Sequence, residues 1–99
     1  MSESFLEKSP EELEDEILLA FVDRCHSEAD AEAATDPENP VVSNRANIKA
    51  EIQIGKKYAE NKRYREAAKE SLITTLEAAQ QNDSTQDLAE EIRGLLSTL

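Results

Sequence analysis

An all-α fold of about four helices is what this sequence predicts, and three observations predict it. Glycine and proline are scarce, two and three in 99 residues, so few points interrupt a helix. Leu, Ala, Glu and Lys are abundant, the residues that lose least in a helical backbone. Apolar residues recur every three or four positions along most of the chain. No stretch alternates with the period of two that a half-buried strand requires.

The first helix starts at Ser9-Pro10-Glu11-Glu12. Ser9 can cap it, Pro10 suits the first helical position, and Glu12 can reach back to close a capping box. Glu11, Glu12 and Glu14 suit the positive end of the helix dipole. The helix is expected to run over residues 9–34. Leu13, Ile17, Phe21 and Cys25 recur every four residues, with Leu18 and Val22 beside them. Its second half, "HSEADAEAA", has little to bury and is expected to fray.

Residues 35–44, "TDPENPVVSN", read as a loop, because Pro37 and Pro40 push the residues before them out of helix geometry. A second helix is expected from Ser43 or Asn44 to Asn61. Ile48, Ile52, Gly55 and Ala59 form its stripe, with Ile54 and Tyr58 alongside. Gly55 costs the helix about 1 kcal/mol against Ala, and a glycine on an apolar stripe often permits close approach by another helix. A third helix is expected over 63–81, facing inward through Tyr64, Ala67/Ala68, Ser71/Leu72, Thr75/Leu76 and Ala79. Asp83 or Ser84 then caps a fourth, with Leu88, Ile92, Leu95/Leu96 and Leu99 as its stripe.

A single domain is expected from 99 residues, hiding only about 60–65% of the surface of the unfolded chain. Charge is split along it. Residues 1–43 hold thirteen Asp or Glu against two Lys or Arg, and residues 44–99 hold nine of each, so the whole net charge of −11 is N-terminal. Six of the eleven cations, Lys56, Lys57, Lys62, Arg63, Arg65 and Lys69, crowd into residues 54–71. Pairs such as Lys62–Glu66 and Glu66–Lys69 would make that cluster a solvated helix face. Alternatively, it accepts an acidic segment.

Ile54-Gly55-Lys56-Lys57-Tyr58 and, after a turn, Tyr64-Arg65-Glu66-Ala67 resemble the tetratricopeptide repeat, a helical hairpin of about 34 residues. The resemblance covers residues 45–76. It implies a tight crossing at Gly55 and Ala67. It also implies a concave face on the first repeat helix carrying Lys49, Gln53, Lys56 and Glu60. Their spacing of four, three and four does place them on one face. A lone unit leaves apolar faces open. The fourth helix would cap one side, and the first helix or a second chain would cover the other, so a homodimer is expected.

Chemistry of other kinds finds little support. Cys25 and His26 are adjacent, so they point about 100° apart on a helix, and no further Cys or His completes a tetrahedral metal site. No nucleophile, base and orienting group come together in the pattern, so neither an enzyme nor a bound cofactor is expected. The net charge repels nucleic acid. The six-residue run "ILLAFV" is too short to cross a bilayer, and a lone cysteine suits the reducing cytoplasm. Leu18, Phe21 and Val22 in that run are either core or a partner interface. The expected function is a small interaction module acting as adaptor, chaperone or regulatory subunit. The alternatives are an acidic mimic of nucleic acid that blocks a DNA-binding protein, and a self-assembling structural subunit.

Overall fold

The computed structural model describes residues 9–99 and contains four α-helices among them: α1 (Pro10–Ala34), α2 (Pro40–Ala59), α3 (Arg65–Gln80) and α4 (Gln86–Ser97). The 3₁₀ turns Lys62–Tyr64 and Asp83–Thr85 lead into α3 and α4. The fold is all-α, as predicted. None of the described helices is long and apolar enough to cross a membrane.

Consecutive helices pack antiparallel in series. Glu32 meets Lys49 across the α1–α2 pair, and Asp15, nearer the other end, meets Arg63 just past α2. Among the helices, α1 packs only against α2, while α4 packs mainly on α3 and lightly on α2. The result is thin, 53 × 32 × 13 Å across its Cα atoms. Two apolar clusters share α2. One joins Ile48 and Ile52 to Leu72 and Ala79 of α3 and to Leu88, Ala89 and Ile92 of α4. The other joins Ala46 and Ala50 to Cys25 and Ala29 of α1, with Phe21 and Ile54 at its edge.

Local chemistry explains most boundaries. The capping box forms: the Glu12 amide donates to Ser9 Oγ at 3.1 Å, and the Ser9 amide to Glu12 Oε1 at 3.5 Å. The connector is residues 35–39, not 35–44, because Asn39 caps α2 by accepting from the Val41 amide at 3.0 Å, with Pro40 in its first turn. Pro40 therefore opens a helix where the sequence reading had it prolong a loop. Lys62 lies in the 3₁₀ turn, which Asn61 caps, and the Lys62–Glu66 pair does not form among the described residues. The expected Glu66–Lys69 pair does, at 3.7 Å. Neither Asp83 nor Ser84 caps α4. Buried Thr85 secures that corner instead, its hydroxyl donating to the Ala79 carbonyl at 2.6 Å and reaching that of Asn82 at 3.2 Å.

Burial corrects three further expectations. The four-residue ladder of α1 overshoots a 3.6-residue turn by about 40° per step, so Leu13 and Ile17 rotate outward, 47% and 61% exposed. The buried line is Leu18, Cys25 and Ala29. The second half of α1 continues as helix to Ala34, because Ala29 packs on the small residues Ala46 and Ala50. At the α2–α3 crossing Gly55 is buried as expected, but Ala67 is exposed and Ala68 takes the inward position. Leu72 is what Gly55 admits: a Cβ on Gly55 would stand 2.7 Å from Leu72 Cδ2.

Candidate functional site

Lys49, Gln53, Lys56 and Glu60 are all exposed along one side of α2. Two grooves flank this strip. One, of about 350 Å³, runs between α1 and α4, with Cys25 and Ala29 on one wall, Leu88 and Glu91 on the other, and Lys49 and Gln53 between them. The other, of about 240 Å³, lies where Lys56 and Glu60 face Leu72, Leu95 and Leu99. The structure thus brings the four predicted residues into one strip. It does not add the α1 residues as a single set. Leu18 is buried in the molecule's own core, so it cannot meet a partner in this conformation, and Phe21 and Val22 are half-buried. Phe21 lies under two cations, Arg24 at 5.3 Å and Lys57 at 5.6 Å.

The acidic helix is held in cis. Lys49 Nζ donates to both carboxylate oxygens of Glu32 at 3.2 Å. Asn61 donates to Glu14 at 2.7 Å and Arg63 to Asp15 at 3.2 Å. The Tyr64 hydroxyl also donates to Asp15, and its ring stacks at a tilt on Tyr58, 5.3 Å between centroids. His26 and Glu51 approach to 3.5 Å. Lys56, in contrast, joins no ion pair among the described residues. Part of the gathered positive charge therefore answers the protein's own carboxylates, and part remains available on the strip.

Arg45 is the residue that sequence reasoning missed. It forms a bidentate pair with Asp87, at 2.8 and 3.0 Å, and donates to the Ser84 carbonyl at 2.5 Å. It pins the start of α4 to α2 and closes one end of the larger groove. Its partner is 42 residues away and no spacing rule connects them.

The Tyr64 hydrogen bond, followed by the Arg63 charge, holds the Asp15 carboxyl below its ordinary value; the Arg45 hydrogen bond does the same for Asp87. Both therefore stabilise the fold fully above the unfolded carboxyl value of about 3.9, and that contribution is lost as pH falls through the folded values. Asp15→Asn is expected to flatten the fall in melting temperature below about pH 4. An unchanged slope would mean that Asp15 does not couple α1 to the hairpin. Burial pushes the Cys25 thiol upward, keeping it protonated and unreactive at neutral pH.

The chain matches no family model, no curated protein and no solved structure.

Proposed function

We propose that this chain is a protein–protein interaction module that holds a partner's segment against the exposed side of α2. The carrying observation is the strip Lys49–Gln53–Lys56–Glu60 between two grooves. The groove walls offer apolar side chains, and the strip offers both charges and an amide. That is the composition of a recognition groove, in which apolar contact supplies affinity and a few polar groups fix register. The hairpin's likeness to a tetratricopeptide repeat supports the same side of α2, since it implies a concave face there. An adaptor, a chaperone or a regulatory subunit would use it in this way.

An acidic segment is the occupant that fits the cations. Lys56 is free to meet a carboxylate, and Lys49 would exchange Glu32 for one. Exposed pairs of this kind are worth about 0–1 kcal/mol each in folding, yet complementary patches govern encounter and register in association. A photo-crosslinking residue at Gln53 is expected to capture a defined partner that the same residue at Asn47, on the opposite side of α2, does not. With purified components, Lys49→Glu plus Lys56→Glu should weaken that complex about tenfold, equivalent to roughly 1.4 kcal/mol, without lowering the melting temperature appreciably. Identical capture from both positions would defeat the proposal.

A further inference from the structure

We infer that the outer side of α1 is a second docking surface, and that its occupant is a cationic amphipathic helix from another protein. Leu13, Ile17 and Ala20, spaced four and three apart, form an exposed ridge along this helix. That is the spacing at which one helix presents a seam to another. The ridge residues line neither of the grooves beside Lys49 and Lys56, and Ile17 edges a separate groove with Glu14, Lys57 and Glu60. It begins one turn inside the capping box, on a part of α1 fastened by Glu14 and Asp15. The surface is therefore presented on a formed helix that is tied to the hairpin beside the ridge.

The charge around the ridge selects the occupant. Within residues 10–34 nine carboxylates stand against one cation, Arg24. Arg24 lies over the Phe21 ring. Asp15 and Glu32 are committed to Arg63 and Lys49. Glu12, Glu16 and Asp23, each within four positions of a ridge residue, are exposed, and Asp23 joins no ion pair among the described residues. A second copy of α1 laid on this ridge would set its own flanking carboxylates against these, and like charges disfavour that pairing. An anionic lipid surface meets the same repulsion. A helix with one aliphatic face and lysines or arginines along its borders satisfies both the ridge and its rim. This is the helix-in-groove mode of recognition on a nearly flat acidic face.

The probe is a fluorescein-labelled helical peptide of roughly 18 residues, five turns, with leucines on one face and lysines elsewhere. Fluorescence anisotropy against the full chain should show saturable binding. Two controls should bind far more weakly: the same residues scrambled, and the same pattern with glutamate for lysine. Leu13→Ser plus Ile17→Ser alters only exposed positions, and its circular dichroism melt should match that of the parent. It should weaken binding about tenfold or more, through loss of two aliphatic anchors. Sodium chloride at 0.5 M, where screening shortens to about 4 Å, should weaken it further. The Lys49→Glu, Lys56→Glu variant should bind this peptide no more weakly, which separates failure here from failure of the α2 strip. Three results overturn the inference. The scrambled peptide binds as well, so that charge alone acts; the serine variant retains full affinity; or sedimentation shows a dimer that the serine variant abolishes, so that a second copy covers the ridge.

Discussion

Gly55→Leu is expected to cost about 1–3 kcal/mol of stability, and more if α3 cannot shift. The cause is local and geometric. A Cβ at Gly55 would lie 2.7 Å from Leu72 Cδ2 and 2.8 Å from Cγ, both inside normal contact distance. Leu72 is 0% exposed and packed between α2 and α4, so it can yield only toward the groove it shares with Lys56 and Leu95, at the expense of its core contacts. Even alanine tests the crossing. Its helix propensity is better by about 1 kcal/mol, and the clash opposes that gain. Leu72→Ala alone should cost about 2–5 kcal/mol by leaving a cavity. Combined with Gly55→Leu, the new side chain enters that cavity, and the double variant should be well above the sum of the two single losses. Urea titration of the four proteins measures the coupling. Strict additivity would mean that the two residues do not share the crossing.

The second large effect is expected at Thr85. This side chain is 0% exposed, and its hydroxyl holds the carbonyl that ends α3. Thr85→Val keeps the shape and removes the donor, which leaves the Ala79 carbonyl buried without that partner. Such a loss costs about 1–3 kcal/mol. Thr85→Ser keeps the donor and should lose less. A valine variant that melts with the parent would show that the corner is held by packing alone. The α3–α4 pair is the place to look, because the five residues 81–85, with Thr85 among them, are the whole link between the two helices in sequence.

The contrast between two prolines shows what the sequence made legible. Ser9-Pro10 and Asn39-Pro40 have the same form, a capping residue followed by proline in the first turn, and both start helices. The first was read so and the second as a loop, since Pro37 lay close by and nothing local distinguished breaker from starter. The apolar stripes of α2, α3 and α4 were readable because their buried sides are narrow and regular. On α1 the run Ile17 to Val22 is apolar on nearly every side, so composition could not say which flank turned inward. That required α2, whose small residues Ala46 and Ala50 select Cys25 and Ala29. The strip Lys49–Gln53–Lys56–Glu60 was legible from its spacing. Its neutralisation by Glu32, and the clamp from Arg45 to Asp87, were not, because both arise from contacts between distant parts of the chain.

The series arrangement of the helices has a thermodynamic consequence. The cluster that α1 shares with α2 is separate from the one that unites α2, α3 and α4. Peeling α1 away costs the first cluster and a few exposed ion pairs, and leaves the second whole. The molecule is therefore built from two cooperative units of unequal strength, with α1 as the weaker foldon. Cys25, the chain's one thiol, sits in the seam between them. Only its edge shows at the groove wall, 6% exposed, so a thiol reagent should react slowly while the seam is closed and faster when it parts, and the chain carries its own clock for an excursion in which α1 leaves and the rest stays folded.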